Sequence, residues 1–346
     1  MKLKDFDYHL PEGLIAQEPC PKRDQSRMMV IDRREGTISH GIFETFPDLL
    51  KKRDVLVLNN SRVIPARLRG EKETGGKVDV LLLSRKNAAT PREQTWEALL
   101  SPAKGIRPGA KLMFSEGCEA KAIDRVTEKK WLLTFTTSLP FDEFVDLKGK
   151  PPLPPYIKRK GNQEDYLADR ERYQTIYARV PGSVAAPTAG LHFSHEVMAA
   201  LKNRAVSMAQ VTLHVGYGTF SPVEAEQVED HRMEEESFEI SEEAAEMINK
   251  ARRVIAVGTT CTRTLESAAD AGGRIIPGCA STQLFIYPGY RFKSVDALLT
   301  NFHLPKSTLY ILVCAFAGQA LIQEAYCQAI KENYRFYSYG DCMFII

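Results

Sequence analysis

A run of short β-rich segments, set inside a pattern of mixed helices and strands, constrains the fold more than any other feature of the sequence. Between residues 63 and 137, turn residues such as Thr74-Gly75-Gly76 and Arg107-Pro108-Gly109 separate stretches that have the composition of strands. Regularly spaced short strands without a clear helix are typical of a small barrel or sandwich. The predicted strands span residues 77–83, 94–100, 110–114, 120–126 and 131–136.

Helical and strand patterns alternate after a stiff, proline-rich boundary at Pro151-Pro152-Leu153-Pro154-Pro155. Residues 195–204 and 241–252 are predicted as helices, and residues 207–215 and 254–257 as strands. This alternation indicates an α/β domain, to which the apolar run at residues 54–58 adds a further strand. We therefore predict a discontinuous, mixed-sheet α/β domain at residues 1–62 and 152–346, with an inserted all-β barrel domain at residues 63–151.

The composition is that of an ordinary soluble globular protein, with 44% hydrophobic and 26% charged residues. No apolar run approaches the roughly 20 residues of a membrane span, and the amino terminus has no apolar signal segment. Seven cysteines without a CxxC pair favour free thiols in a reducing compartment, so we expect a cytoplasmic location. The net charge is only +2, so any nucleic acid must contact a local basic patch. No HExxH motif occurs, and no metal is expected.

The first candidate ligand site is a stretch of small residues at 182–193, which precedes a capped helix. Small side chains let a backbone approach a ligand closely, and a helix N-terminus favours an anion or a polar oxygen. A long turn feeding a helix is the plain alternative. Core periodicity does not explain Thr188 or His192, which favours the ligand site, with Gly190 as a point of close approach.

The second candidate lies at residues 211–220, where a predicted strand ends. Alternation places Thr212 and His214 on one face of the strand, and Gly216 and Gly218 free its end for close approach. Ligands gather at the carboxyl ends of strands in α/β sheets. A half-buried histidine on a sheet face explains His214 equally well.

The third candidate spans residues 254–265, where a strand runs into Thr259 and Thr260 and then into a helix that carries Arg263. Hydroxyl and free N–H groups at such a junction suit a carboxylate or a ribose. An ordinary strand-to-helix turn is the alternative.

The fourth candidate spans residues 300–308, where Asn301 and His303 precede a strongly apolar helix. Loops of this kind often carry function. Ser307 is also expected to cap the helix, which would by itself explain a polar residue there.

One basic cluster is singled out as a nucleic-acid contact. Lys158, Arg159 and Lys160 follow Tyr156 on a rigid, proline-rich segment, which would present three cations together with an aromatic ring. That combination suits phosphate contact and base stacking. Arg67 belongs to a second cluster of this kind, although such clusters are more often solvated faces.

These stretches and several others together resemble one family nearly end to end, the S-adenosylmethionine:tRNA ribosyltransferase-isomerases of queuosine biosynthesis. The matching motifs are LIAQ at 14–17, RDQSR at 23–27, DVLVLNNSRVIPARL at 54–68, LPPYI at 153–157, YQT at 173–175, GSVAAPTAGLHF at 182–193, VTLHVGYGTFSPV at 211–223, VGTTCTRTLES at 257–267, LFIYPGYRF at 284–292, TNFHLPKSTL at 300–309 and YRFYSYGD at 334–341. One position departs from the family pattern, which commonly reads His-x-Met-His-x-Glu: this chain has Glu234 where the second histidine would stand.

The resemblance implies an α/β domain with an inserted barrel, and an enzyme that consumes S-adenosylmethionine as a ribosyl donor. The ribosyl unit is built onto the 7-aminomethyl group of 7-deazaguanine at the wobble position of a tRNA with a GUN anticodon. The products are epoxyqueuosine-tRNA, adenine and methionine, and neither a membrane nor an obligate protein partner is expected. A non-catalytic tRNA-binding protein or a conventional methyltransferase are the alternatives; the first would consume no S-adenosylmethionine and the second would release S-adenosylhomocysteine.

The implied reaction needs a base for the proton beside the sulfonium and an acid for the departing adenine. Histidine suits both roles, and His192, His214 and His303 are the candidates, without an order among them. Asp341 is expected to orient a base or a ribose hydroxyl. Arg263 or the Thr259-Thr260 turn would hold the methionine carboxylate, and Tyr287 or Tyr339 would face the sulfonium. The full set of expected S-adenosylmethionine contacts is Asn59, Asn60, Arg62, Thr188, Gly190, Gly216, Gly218, Thr259, Thr260, Arg263, Tyr287 and Asn301.

Overall fold

The computed structural model describes residues 1–159, 163–216, 218 and 223–346. The strands in these ranges are β1 (Arg27–Asp32), β2 (Thr37–Ile42), β3 (Asp54–Asn59), β4 (Ser61–Val63), β5 (Arg67–Lys72), β6 (Lys77–Thr90), β7 (Glu93–Ser101), β8 (Lys111–Met113), β9 (Glu119–Arg125), β10 (Lys130–Thr136), β11 (Val180–Ser183), β12 (Ser207–Leu213), β13 (Glu236–Ile240), β14 (Arg253–Val257), β15 (Gly278–Thr282), β16 (Ala297–Asn301) and β17 (Cys342–Ile345). The α-helices are α1 (Phe141–Lys148), α2 (Gln163–Arg172), α3 (His195–Asn203), α4 (Glu242–Asn249), α5 (Gly258–Ala268), α6 (Thr308–Ala317) and α7 (Gln319–Lys331).

Within the described ranges, nine strands form one mixed sheet in the order β15-β13-β12-β3-β14-β16-β17-β1-β2. The four central strands β12, β3, β14 and β16 are parallel, so their carboxyl ends meet at one edge. Strand β17 runs antiparallel to β16 and places Cys342 opposite Asn301, so the segment that leads into β17 reaches the same edge. This edge therefore collects several connecting segments that are distant in sequence.

The two faces of the sheet bury separate cores. Val55 and Val57 of β3 face one core, which α5 joins, whereas Leu56 and Leu58 face the other, which α3 joins. Every residue of β3 is buried, which explains its continuous apolar sequence. Full burial of each such side chain contributes about 1.5–3 kcal/mol.

The β-rich block forms a closed barrel of antiparallel strands in the order β10-β7-β6-β5-β8-β9. Alternate side chains of β7 and β10 point into the barrel, and Trp96, Trp131 and Phe135 are its large core residues. Helix α1 follows the last strand and adds Phe141 and Phe144 to the same core. The predicted architecture, a mixed-sheet α/β domain with an inserted all-β barrel, is confirmed.

Serine side chains cap the N-termini of α3, α4 and α6. Oγ of Ser194, Ser241 and Ser307 each accepts a hydrogen bond of 3.1 Å from the backbone N–H three residues further on. In the described part of the chain, no single helix has the length and apolar composition to cross a membrane. Helices α6 and α7 meet that criterion only together, and a 116° bend separates them.

Candidate active site

A cavity lies at the edge of the sheet where the parallel strands end. Its walls are the first turn of α5, the segment that follows β16, the short 3₁₀ helix Thr188–His192 and the approach to β17. Ligands of open α/β sheets usually bind at such an edge. The polar and aromatic residues that line it are Tyr156, Thr188, Thr259, Thr260, Thr300, Asn301, His303, Ser307, Tyr337 and Ser338.

The first turn of α5 leaves polar groups available to a ligand. Gly258 leads the chain out of β14 with φ of +91°, in the left-handed region that favours glycine. Val257 precedes the helix and offers no side-chain cap, so the N–H groups of the first turn lack that usual acceptor. Oγ1 of Thr260 is buried and has no oxygen or nitrogen hydrogen-bond partner among the described residues. A helix N-terminus of this kind attracts a carboxylate or another polar oxygen.

Asn301, the last residue of β16, presents an acceptor without a partner. Its Nδ2 lies 3.1 Å from the carbonyl oxygen of Tyr337, 3.4 Å from that of Asp341 and 3.2 Å from Nε2 of His192, three acceptors that share its two hydrogens and determine the orientation of the amide. Oδ1 is buried and has no hydrogen-bond partner among the described residues. An unpaired buried acceptor is costly, so Oδ1 marks a position where a ligand donor would be favoured.

His192 lies behind this wall and is buried and neutral. Its Nε2 lies 3.2 Å from Nδ2 of Asn301 and accepts from it, so Nδ1 carries the proton and donates to Oγ of Ser26 over 2.6 Å. Burial lowers the pKa of His192 to about 3, with the charges of Arg335 and Arg23 as further causes. With both ring nitrogens engaged, His192 is placed to hold Asn301.

His303 lines the cavity itself, and its backbone is held on both sides. Oγ1 of Thr300 lies 2.8 Å from Nε2, which leaves Nδ1 as the nitrogen for a ligand. The His303 N–H donates to the Tyr326 hydroxyl over 3.0 Å, and the His303 carbonyl accepts from the Tyr8 hydroxyl. Burial lowers the pKa of His303 to about 3, so the imidazole is neutral at neutral pH.

His214 is separate from the other two histidines and does not line the cavity. Its ring covers the backbone of Gly182, where a Cβ atom would come within 2.8 Å of the ring and where φ is +140°. Nδ1 has no hydrogen-bond partner, and burial lowers the pKa of His214. The packing explains why glycine occupies position 182.

The glycines after His214 approach carboxylates. The N–H of Gly216 donates to Oε1 of Glu236 over 2.9 Å. A Cβ atom at Gly218 would lie 2.8 Å from Oε2 of Glu234. Position 217 and positions 219–222 lie outside the described residues, so the structure places these two glycines only at the ends of that segment.

Arg263 forms a buried ion pair with Glu236, and both side chains are at most 5% exposed. Nη1 donates to Oε2 of Glu236, and Nε donates to the carbonyl of Leu284 over 3.0 Å. Nη2 is buried and has no hydrogen-bond partner in the part of the chain that the structure describes. The carboxylate that pairs with Arg263 is therefore that of Glu236, whereas the sequence predicted the carboxylate of a ligand.

The two tyrosines expected to face the sulfonium lie elsewhere. Tyr287 packs in an aromatic cluster, and the Tyr339 hydroxyl donates to Oδ1 of Asp169 over 3.0 Å. The tyrosine rings that line the cavity are those of Tyr156 and Tyr337, whose centroids are 4.6 Å apart, and Phe302 is a further aromatic residue of the lining.

Three residues near the barrel junction also lie outside the cavity. Asn59 joins β3 to β12, since Nδ2 donates to the carbonyl of Leu213 over 3.0 Å and Oδ1 accepts from its N–H over 3.1 Å. Oδ1 of Asn60 accepts from Oγ1 of Thr212 over 2.7 Å. The Arg62 side chain is exposed and lines a different hollow. The two asparagines therefore stabilise strand ends.

Gly190 and Asp341 support the cavity walls. A Cβ atom at Gly190 would lie 2.1 Å from the Tyr177 hydroxyl, so only glycine allows this packing. Oδ1 of Asp341 accepts from the N–H of Arg27 over 2.9 Å, and Oδ2 accepts from the N–H of Arg335 over 2.8 Å. Burial raises the pKa of Asp341, and these backbone hydrogen bonds oppose the rise. Both carboxylate oxygens are thus engaged with the backbone.

The residues expected to bind RNA differ in exposure and in their partners. Arg159 makes a bidentate ion pair with Asp169, at 2.7 Å for each bond, and is half-buried. Lys158 is exposed, and Lys160 lies outside the described residues. Arg67 is in β5, where its backbone pairs with Lys150. Of the two described cations in the cluster 158–160, Lys158 is therefore the one that faces solvent. It lies two residues after Tyr156, which lines the cavity.

Several cavity residues were absent from the sequence-based set. Tyr337 has a left-handed φ of +72°, unusual for tyrosine, and conformations of this kind often mark functional sites. Thr300 and Ser338 lie in motifs that match the family, at 300–309 and 334–341, so the sequence indicated these two segments but not these two residues. Tyr8 and Ser26 act on the two histidines from remote parts of the chain, and periodicity carries no signal for such contacts.

Glu234, the position that departs from the family pattern, contacts the barrel. Its Oε1 lies 2.9 Å from Nζ of Lys130, at the start of β10. The two side chains are 49% and 21% exposed, respectively. This ion pair joins the barrel to the segment that precedes β13.

Among the described residues, no group of three or more His, Cys, Asp or Glu side chains is arranged to hold a metal ion. The fold and the cavity define an α/β protein with a cavity, partly lined by polar side chains, where its parallel strands end. The chain matches the family described as Queuosine biosynthesis protein over residues 3–345, and it is an enzyme that belongs to this family.

Named relatives match over their full length. S-adenosylmethionine:tRNA ribosyltransferase-isomerases of Syntrophus aciditrophicus and Carboxydothermus hydrogenoformans are 59% and 51% identical, with complete coverage of both chains in each comparison. The crystal structure of S-adenosylmethionine tRNA ribosyltransferase from Thermotoga maritima is 34% identical, covers 99% of this chain and 100% of its own, and has a TM-score of 0.55.

Proposed function

We propose that the enzyme binds S-adenosylmethionine in this cavity and transfers its ribosyl moiety, with isomerisation, to tRNA. The acceptor is the 7-aminomethyl group of 7-deazaguanine at the wobble position of a tRNA with a GUN anticodon. The products are epoxyqueuosine-tRNA, adenine and methionine. The observation that carries the proposal is the meeting, in one cavity, of a helix N-terminus, the unpaired Oδ1 of Asn301 and the imidazole of His303.

The methionine part of the substrate fits the polar side of the cavity. The Thr259-Thr260 turn at the start of α5 offers N–H and hydroxyl donors to the carboxylate, and Arg263 is engaged by Glu236. The rings of Tyr156 and Tyr337 provide faces that attract the positive sulfonium. Each cation–π contact of this kind contributes about 0.5–2 kcal/mol.

His303 is the residue we assign to proton transfer. Burial keeps the imidazole neutral, so a ring nitrogen that faces the cavity is available to accept a proton. It accepts the proton from the carbon beside the sulfonium, and the imidazolium then supplies a proton to adenine as the bond to the ribose breaks. His192 acts through Asn301, whose amide it helps to orient.

The nucleic acid approaches from the side of Lys158 and Tyr156. Lys158 is exposed directly after the proline-rich segment, so it is available to a phosphate. Tyr156, two residues before Lys158, lines the cavity. A phosphate contact at Lys158 would therefore lie close to the cavity that the modified base must enter. The reaction would take place in the cytoplasm, with a monomeric enzyme.

Product analysis tests the function directly. The protein is mixed with S-adenosylmethionine and tRNA that carries 7-aminomethyl-7-deazaguanine, and the small products are separated by chromatography. Adenine and methionine that appear only with the modified tRNA support ribosyl transfer. S-adenosylhomocysteine would indicate methyl transfer instead, and tRNA binding without turnover would indicate a binding protein.

A pair of histidine variants tests the assignment of His303. His303→Gln should lower adenine release by about 100-fold or more, the range typical of a lost general base. His195→Gln is the matched control because His195 is exposed on α3 and does not line the cavity. Equal activity of the two variants would overturn the role given to His303.

A further inference from the structure

The peptide groups of His303 are held by two tyrosine hydroxyls from distant parts of the chain. The carbonyl oxygen accepts from the Tyr8 hydroxyl, and the N–H donates to the Tyr326 hydroxyl over 3.0 Å. Tyr8 lies near the amino terminus and Tyr326 lies on α7. The backbone of a cavity residue is thus held from opposite directions.

The two hydroxyls belong to a packed aromatic cluster. Tyr8 lies 5.2 Å from Tyr310 and 5.1 Å from Tyr326, measured between ring centroids, and Tyr310 and Tyr326 are 4.8 Å apart. Tyr310 and Tyr326 are at most 1% exposed. The His303 peptide groups satisfy the hydroxyls of Tyr8 and Tyr326, so these two hydrogen bonds favour the observed position of His303.

The segment before Tyr8 contacts the same loop a second time. The carbonyl of Phe6 accepts from the N–H of Lys306 over 2.9 Å, and Asp7 forms an ion pair of 2.6 Å with the Lys306 ammonium group. Lys306 has φ of +57°, a left-handed conformation that a lysine adopts only when its surroundings impose it. Residues 3–8, here the amino-terminal segment, therefore fix the loop at both His303 and Lys306.

The other end of the amino-terminal segment pairs with a different part of the chain. The N–H of Leu3 donates to the carbonyl of Glu226 over 2.9 Å, and Lys2 forms a β-bridge with Gln227. The segment thus links the chain around residues 226–227 to the loop that carries His303.

We infer that Tyr8 is a positioning residue for His303, and that the amino-terminal segment holds the proton-transfer side of the cavity in its working geometry. Loss of the Tyr8 hydroxyl leaves the His303 carbonyl without its donor and frees the loop to shift. A displacement of about 1 Å at a catalytic group can lower a rate by about 100-fold. The inference rests on the proposed role of His303.

Removal of single hydroxyls provides the test. Tyr8→Phe should lower kcat for adenine release by about 10-fold or more, with KM for S-adenosylmethionine within about 3-fold of the wild type, since the carboxylate site at α5 is untouched. Tyr310→Phe is the matched control: its ring packs in the same cluster, but its hydroxyl makes no hydrogen bond to His303. It should stay within about 2-fold. Tyr326→Phe should behave like Tyr8→Phe.

Readouts other than the rate separate positioning from general damage. The imidazole NMR signals of His303 should shift in Tyr8→Phe and not in Tyr310→Phe, and the midpoints of thermal unfolding of the two variants should agree within a few degrees. If Tyr8→Phe had the same kcat and the same His303 NMR signals as Tyr310→Phe, the inference would be wrong. A wild-type enzyme that releases no adenine would instead overturn the proposed function, and the NMR comparison would still test the position of His303.

Discussion

Nδ2 of Asn301 donates a hydrogen bond to Nε2 of His192 over 3.2 Å, while Oδ1 of the same amide has no partner among the described residues. The donor side of the amide is engaged by protein groups, and the acceptor side is free at the cavity. A neutral histidine accepts the hydrogen bond, and burial maintains that neutrality because it lowers the pKa of His192 to about 3. The pair thereby presents an oriented acceptor to the ligand.

Replacement of this amide by a carboxylate tests its orientation. Asn301→Asp turns a donor into an acceptor opposite the carbonyls of Tyr337 and Asp341, so we expect a loss of about 1–3 kcal/mol in the free energy of unfolding. Adenine release should fall by at least about 100-fold, since the cavity acceptor is no longer held. Urea unfolding and the product assay measure the two effects.

Asn249→Asp is the control for that variant. The Asn249 amide also donates to a backbone carbonyl, that of Ile275, over 2.9 Å, and it lies away from the cavity. Because Asn249 is exposed and Asn301 is buried, the control should lose less stability and keep its turnover. Comparable losses of activity in the two variants would show that destabilisation alone accounts for the effect.

The free energy of unfolding should decrease as the pH falls from about 6.5 toward about 3. Burial lowers the pKa of His192 and His303 to about 3, whereas the unfolded residues titrate near 6.5. Below pH 6.5 the unfolded chain therefore binds protons that the folded chain does not, and above it this contribution is constant. Each histidine adds a slope of up to about 1.4 kcal/mol per pH unit.

Urea unfolding curves at pH values from about 7 to about 5 measure that slope, in a range above most carboxylate titrations. His303→Gln should reduce the slope, and His195→Gln, at an exposed position, should leave it unchanged. A slope that is the same in all three proteins would contradict the assignment of the titration to the buried histidines.

Much of the architecture could be predicted from local patterns. The continuous apolar run of β3 reflects burial on both faces, the short strands of the barrel reflect alternation, and the serine caps reflect helix ends. The ends of the strands were harder to predict from the sequence. Strand β6 continues to Thr90, beyond the expected end at position 83, since its last residues pair along the backbone with β7 while their side chains are exposed. The exposed extension has no apolar alternation to signal it.

Partners of polar side chains could not be predicted in the same way. Thr259, Asn301 and His303 meet in one cavity because β14 and β16, which lead to them, are parallel neighbours, an arrangement that a sequence pattern can suggest. Arg263 meets Glu236 only because β13 lies beside β12 in the sheet, and Arg159 meets Asp169 through the packing of α2. Such pairs depend on tertiary contacts, so composition and spacing alone cannot distinguish them from ligand-binding residues.

The buried pair of Arg263 and Glu236 should be strongly coupled. Glu236→Gln or Arg263→Gln leaves one buried charge without its partner, and we expect each to lower the free energy of unfolding by about 3–5 kcal/mol. The double variant should lose less than the sum, and a double-mutant cycle measures the difference. Glu246→Gln, which breaks a fully exposed pair with Lys250, should leave the unfolding midpoint nearly unchanged. Additive losses would contradict the coupling.

Glu234→His should leave turnover within about 3-fold of the wild type, although this position departs from the family pattern. The Glu234 carboxylate lies 2.9 Å from the Lys130 ammonium group on the barrel and does not line the cavity. Both partners are partly exposed, so solvent screens the pair and its loss should cost less than about 1 kcal/mol. Lys130→Ala removes the same ion pair from the other side and should match Glu234→His in both turnover and stability. A loss of turnover above about 10-fold in Glu234→His, with Lys130→Ala unaffected, would instead mean that the glutamate itself contacts the substrate.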